Sequence, residues 1–249
     1  MILGLDTSTS AITAALVSME PDGFVQVQAA GSVVDARAHT EQLAPLLAEV
    51  LAEAACTPAD LTAIVVGTGP GPFTGLRVGL VTGVTMAHAL QIPVYGVCSL
   101  DALAASVAAL AVRAPSELLV ATDARRKEVY WARYALDPTA LGADHPSLRP
   151  GTAYRRLGEP AVDRPDDVPE EVRVLPTAGR GSLLYPGVFT APLEVPLDVD
   201  ARWLLTVAGP RIVAGEPMPV VARYLRRPDA LTTAERAAAR QGEGMRGKA

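Results

Sequence analysis

The residues best placed to do chemistry lie in two short stretches. Asp6 closes the apolar run of "MILGLD" and is followed at once by Thr7, Ser8, Thr9 and Ser10. A carboxylate at the end of a strand can hold Mg²⁺ or a water beside a phosphate, and the hydroxyls can contact that phosphate. The same residues serve equally well as turn and capping groups. The second stretch is "GTGPGPFTGLR", residues 67–77, set between an apolar run, "LTAIVV", and a helix-like run, "VGLVTGVTMAHAL". Glycines ahead of a helix expose backbone N–H groups that hold anions. They also permit a tight turn and close helix–sheet packing. Asp6, Gly69, Gly71 and Gly75 are therefore the candidate cofactor-binding residues.

Other chemistries find less support. No Lys ends the loop, so it is not a P-loop, and glycines at 67, 69, 71, 75 and 79 miss the dinucleotide spacing. Gly75, Gly79 and Gly83 recur at every fourth position, which makes one smooth helix face for another backbone, internal or from a partner. His39, His88 and His145 are far apart, with no HxxxH, HExxH or cysteine cluster to ligate a metal. No serine or cysteine stands in a G-x-S-x-G context. Cys56 and Cys98 flank apolar segments and read as buried free thiols. The expectation is no catalytic residue and no metal ligand.

The elements that must position these groups follow from periodicity. "MILGLD", "AITAALVS" and "FVQVQAAGSVV" read as three strands with short connections, an antiparallel start unlike a Rossmann domain. Residues 40–55 carry Leu43, Leu46, Leu47, Val50, Leu51 and Ala54 on one helical face, with Pro45 early enough for a first turn. A buried strand then leads into the glycine loop and a helix over 74–90. Strand 93–98 and helix 99–111 complete a first half. "LLVATDARRKEVYWARYAL" repeats the opening logic of strand, Asp-containing turn and strand, which hints at a duplicated domain. Residues 137–170 read as an irregular excursion, "VRVLP" as a strand, and "GRGSLLYPGV" as a glycine-started short helix. Residues 201–215 read as a helix interrupted near Gly209-Pro210, and "PVVARYLRRP" as an extended segment. The expected division is 1–112, 113–229 and a flexible tail over 230–249.

Composition narrows the partners. The 249 residues are 49% apolar and 20% charged, as in folded domains, and aromatics are only 4%. A net charge of −5 gives no global nucleic-acid footprint. Arg125, Arg126 and Lys127 read as a solvated turn, with a local basic patch as the alternative. The apolar run 102–112 is far short of the roughly 20 residues a membrane span needs, and the start lacks a leader pattern. A cytoplasmic protein without membrane contact is expected.

Taken together, "ILGLDTSTSAITAAL", the His39 helix with "EQLAPLL", "VVGTGPGPFTGLRVGLVTG", "IPVYGVCSLDALA", "DARRKEVYWARY" and "VARYLRRP" resemble the TsaB (YeaZ) family of tRNA threonylcarbamoyladenosine biosynthesis proteins. Pro72 stands where that family usually has Ser. The resemblance implies an α/β fold of the actin-like ATPase, sugar-kinase and Hsp70 superfold, with two similar lobes each holding a mixed β-sheet flanked by helices. It implies a noncatalytic subunit that supports a TsaD-like threonylcarbamoyltransferase. A TsaE-like ATPase, tRNA bound through the complex and a homodimer are the further implied partners. It implies no intrinsic cofactor, with ATP or ADP at the complex interface as the possible exception. The paralogous transferase carries "NHLEGH", whose two histidines hold metal; the same register here is "CSLDAL", with Ser99 and Leu103 in their places. The implied partner interface uses the first-lobe helices, through His39, Leu43, Leu46, Leu47, Gly75, Gly79 and Gly83. An ATP-binding enzyme of the same superfold and a glycoprotease-like metallohydrolase are the competing readings.

Overall fold

A computed structural model describes residues 1–35, 38–111, 113–137 and 153–226. The expected tail and most of the stretch before residue 153 lie outside the described residues.

Strands β1 (Ile2–Asp6), β2 (Ala11–Met19) and β3 (Val25–Val34) form an antiparallel meander. Helix α1 (His39–Glu53) then leads to β4 (Ala63–Gly67), helix α2 (Phe73–Leu90), β5 (Val94–Val97) and helix α3 (Ser99–Leu110). The first sheet runs β3-β2-β1-β4-β5, with β4 parallel to both β1 and β5. Strands β1, β2 and β4 are buried on both faces, so they read as near-continuous apolar runs, whereas β3 at the edge is largely exposed. Leu3, Leu5, Ile12 and Leu16 point to the α1–α2 side, and Ile2, Val17 and Val65 to the other.

The second sheet repeats this plan. Strands β6 (Glu117–Asp123), β7 (Val129–Leu136) and β8 (Tyr154–Asp163) are antiparallel, and β9 (Thr177–Ala178) runs parallel to β6. The order β8-β7-β6-β9 matches β3-β2-β1-β4 of the first sheet, so the duplicated opening is real at the level of topology. Short helices α4 (Glu170–Arg173) and α5 (Arg180–Leu184) flank β9. The expected glycine-started helix is α5, with Gly179 at its N-cap.

Three expectations are corrected. "VRVLP" is a helical turn, and the strand follows it at Thr177–Ala178. The supposed irregular excursion contains β8. Helix α6 (Ala201–Val213) runs unbroken through Pro210. Proline removes one intrahelical hydrogen bond, but Pro210 falls in the last turn, where Gly209 and Pro210 press on the backbone of Gly23. Asp200 caps the helix, accepting from the Arg202 N–H at 2.9 Å. Pro45 sits in the second turn of α1, exposed, so water can take the carbonyl it leaves unbonded.

Helix α6 packs mainly on the first sheet and on α3. The following segment, residues 218–223, runs beside β5 and the glycine loop: Gly96 donates to the Met218 carbonyl at 2.9 Å and Arg223 to the Thr68 carbonyl at 2.9 Å. The second half of the chain thus returns to the first lobe after about residue 200, which the expected 113–229 unit does not anticipate. One cluster of buried side chains spans both sheets through α3 and α6, from Ile2 and Val65 to Leu118 and Tyr134.

Candidate functional site

Asp6 ends β1 beneath the glycine loop, fully buried. Its Oδ1 accepts from both the backbone N–H and the hydroxyl of Ser8, each at 2.7 Å. Its Oδ2 accepts from the Ser99 hydroxyl at 2.6 Å, and Ser99 Oγ accepts in turn from the Gly69 N–H at 3.0 Å. Gly67 covers the same oxygen so closely that a Cβ there would stand 1.7 Å from it. Burial pushes the Asp6 carboxyl above its ordinary value, and the Ser99 and Ser8 hydrogen bonds offset only part of that. This carboxylate is a brace between β1, the loop and α3, with no space beside it for a cation or a phosphate.

The neighbouring hydroxyl also works inward. Thr7 Oγ1 donates to the Gly75 carbonyl at 2.7 Å and accepts from the Gly79 N–H at 2.9 Å, so β1 is stitched into the start of α2. Gly71 packs on Ser8, where a Cβ would lie 2.5 Å from a backbone oxygen. The row Gly75, Gly79 and Gly83 faces the protein's own sheet. Added Cβ atoms would meet Thr7 O at 2.9 Å, Thr7 Oγ1 at 2.6 Å and Val66 Cγ1 at 2.2 Å. The close approach inferred from the spacing is internal.

Helix α1 behaves alike. Leu43, Leu46 and Leu47 are buried in the core between α1 and the sheet, with Leu46 against Gly31 of β3. They are not at the surface, and Leu46→Ala should cost about 2–5 kcal/mol of stability, read as a lower denaturant midpoint with association unchanged. His39 is nearly buried, and its Nε2 lies 3.1 Å from the Thr9 carbonyl, which makes that nitrogen the protonated one. The residues the two helices leave exposed include Thr40, Glu41, Ala44, Ala48 and Glu49 on α1, and Thr74, Arg77, Val81 and Val84 on α2.

Between the lobes, Thr7, Thr9, His39, Pro72, Gly75 and Arg125 help to line a cavity of about 150 Å³. Ligand pockets run to roughly 300–1,000 Å³, so a whole nucleotide does not fit in it. Arg125 is paired with Asp123 at 2.9 Å, and Arg180 on the adjoining wall is held by Asp198 at 2.6 Å. The cations here are already neutralised, and Pro70 and Pro72 remove two N–H donors from the loop. Of the candidate cofactor residues, Asp6 and Gly69 are engaged with Ser99, Gly71 is packed on Ser8, and only Gly75 reaches the cavity.

Sequence reasoning missed the clamp on the other side of α3. Asp101 Oδ1 accepts from Tyr134 Oη at 2.8 Å and from Arg156 Nη1 at 2.5 Å, which joins α3 to β7 and β8. The three residues are far apart in the chain, and no local pattern links them. Cys98 beside them is a free thiol pushed by burial to about 12, and Cys56 is also free. Among the described residues, no group of three or more His, Cys, Asp or Glu side chains is arranged to hold a metal, and no helix is long and apolar enough to cross a membrane.

The family model for TsaD, the tRNA N6-adenosine threonylcarbamoyltransferase, matches residues 32–147. The decisive likeness is to a solved structure from Pseudomonas aeruginosa, described as an uncharacterized protein with similarity to peptidase YEAZ. It is 30% identical, with a TM-score of 0.71, over 90% of this chain and 99% of that one. The chain belongs to the TsaB (YeaZ) family. The TsaB protein of Escherichia coli, a tRNA threonylcarbamoyladenosine biosynthesis protein, is 34% identical over 63% of this chain and 65% of its own length. An uncharacterized Mycobacterium tuberculosis protein, Rv3421c, is 41% identical over 92% of this chain and 93% of its own. In this TsaB-family chain two similar lobes each hold a mixed β-sheet flanked by helices.

Proposed function

We propose that this chain is the noncatalytic subunit of a tRNA N6-threonylcarbamoyladenosine synthesis complex, in which it supports a TsaD-like threonylcarbamoyltransferase. The observation that carries the reading is the start of α3. Where the paralogue places two metal-holding histidines, this chain has Ser99, spent on Asp6 and Gly69, and Leu103, buried in the core. A buried leucine offers no lone pair, and a serine already bonded on both sides is no substitute. These residues do not fit the paralogue's metal.

The work left to the chain is positional. Helices α1 and α2 lie side by side on one face of the first sheet. Their outer surface combines small residues, Ala44 and Ala48, with exposed Val81 and Val84. Small side chains let a partner helix approach closely, and the valines supply apolar area to bury. An equivalent helix pair on the transferase fits such a surface, and a second copy of this chain can use it when the transferase is absent. The TsaE-like ATPase and tRNA join through the assembled pair. The cavity beside Thr74 and Arg125 opens near this surface, so ATP or ADP would need walls contributed by the partner.

The test is reconstitution. Threonylcarbamoylation of a tRNA transcript by the organism's transferase should fall at least tenfold when this chain is omitted. The chain alone should neither hydrolyse Mg·ATP nor modify tRNA. Full activity without it, or ATP turnover by it alone, sinks the reading.

A further inference from the structure

Six cationic side chains lie along the path from α2 through the returning segment to the β6–β7 hairpin, around an exposed aromatic pair. The Arg77 guanidinium stands over the Phe73 ring, 5.1 Å from its centroid. Phe73 packs on Tyr224 with 5.0 Å between centroids and the planes tilted by 41°. Both rings are open to solvent, at 50% and 44% exposure. Next to Tyr224, Arg223 pairs with Glu159 at 2.9 Å. Two residues on, Arg226 donates to the Ala124 carbonyl at 3.2 Å and pairs with Glu128 at 3.4 Å. That docks the returning segment on the β6–β7 hairpin, whose tip is Arg125, Arg126 and Lys127.

The tip is unusual in its backbone. All three residues are left-handed, with φ of 63°, 51° and 62°, and all three are exposed. L-residues adopt this conformation at a cost, and three cationic ones in succession are not what stability favours. Among the described residues the run brings together Arg77, Arg125, Arg126, Lys127, Arg223 and Arg226 with the carboxylates Asp123, Glu128 and Glu159, in a chain of net charge −5. It extends from α2 through the returning segment to the hairpin tip, so it suits a polymer more than a small anion. Solvent-exposed ring faces flanked by cations match unpaired bases between phosphates.

We propose that this patch is a contact surface for RNA. Tyr224, Phe73 and Arg77 stack on an unpaired base, while Arg126 and Lys127 at the hairpin tip meet neighbouring phosphates. The proposal takes its RNA, a tRNA, from the reading that this chain serves tRNA modification, and its test separates the two.

The experiment measures fluorescence anisotropy of a labelled tRNA transcript, and of a fully paired RNA duplex, over a range of salt. The full chain is used alone and with its transferase. The double variant Arg126→Glu/Lys127→Glu should weaken tRNA binding at least tenfold and make the log–log salt slope shallower by about one to two. Tyr224→Ala should weaken tRNA binding about fivefold or more and leave duplex binding nearly unchanged. Melting curves should match the parent, since all three side chains are exposed. Unchanged tRNA affinity in both variants, or no tRNA binding by the parent in either form, overturns the proposal. Lost co-purification with the transferase at full tRNA affinity also overturns it, making the patch a protein-docking surface. If the parent fails to pair with the transferase but the variants still lose tRNA, the patch stands and the scaffold reading fails.

Discussion

Gly83→Leu should lower the melting temperature by about 6–12 °C, whereas Val81→Asp two residues earlier should leave it unchanged and release the proposed transferase partner. The contrast follows from which way each position faces. A Cβ on Gly83 would lie 2.2 Å from Val66 Cγ1, with Ile64 and Leu5 behind it. The helix must lift off the sheet to admit a leucine, and overpacking of this kind costs about 3 kcal/mol, occasionally more. In a chain of this size each kcal/mol is worth roughly 2–4 °C. Val81 is 55% exposed, so a carboxylate there changes stability by no more than about 0.5 kcal/mol. Buried under a partner helix, the same charge would be unpaired, and association should weaken at least tenfold. Thermal melts and co-purification read the two outcomes. Gly79→Arg, aimed at Thr7 Oγ1, belongs with Gly83→Leu: it should damage the fold before it touches any interface. A Val81→Asp chain that still holds the transferase would remove the outer face of α2 from the interface.

Asp6→Ala should cost about 3–5 kcal/mol, because the Ser8 N–H, the Ser8 hydroxyl and the Ser99 hydroxyl all lose their acceptor in a sealed space. Asp6→Asn is the sharper probe. Burial raises the Asp6 carboxyl above 3.8 in the folded chain, so between 3.8 and the raised value the folded state binds more protons than the unfolded state. Its contribution is therefore fully present below pH 3.8 and is lost as pH rises through the folded value. The stability difference between parent and Asp6→Asn should shift in the asparagine's favour over that window and level off above it. Denaturant midpoints of both proteins across the acid range measure it. A difference independent of pH would mean that Asp6 is not desolvated as its burial requires.

Much of this fold was legible because local signals agreed with the global plan. The opening strands, both glycine-bounded helices and the repeated strand–turn–strand of the second half follow from periodicity and turn residues. The failures have particular causes. β8 contains Gly158 and Pro160, which argue against a strand. It is an edge strand, however, where a missing N–H costs little. Its register shifts opposite Trp131 and Arg133, beside a Gly158 with φ of 87°. The resemblance implies a partner interface at the α1 leucines and α2 glycines, and spacing cannot test that, because an apolar or smooth stripe looks the same whether it faces a sheet or another chain. The deciding group is the Thr7 hydroxyl, threaded between Gly75 and Gly79 from 68 and 72 residues away. The clamp of Asp101, Tyr134 and Arg156 is equally non-local. Leu103, in contrast, could be interpreted from register alone, since its side chain has no chemistry to offer in any fold.

The buried cluster that runs from the first sheet through α3 and α6 into the second has a consequence for how this subunit can act. Enzymes of two-lobed design open and close about a hinge, and each cycle exposes and reburies the surface between lobes. Here that surface is core, pinned further by Asp101 across to Arg156, so opening would expose Val120, Tyr134 and Leu204 to water. The halves should melt in a single calorimetric transition. In the proposed scaffold role, a body whose lobes share one core is already ordered before the partners meet, so the conformational ordering that assembly requires falls mainly on the transferase.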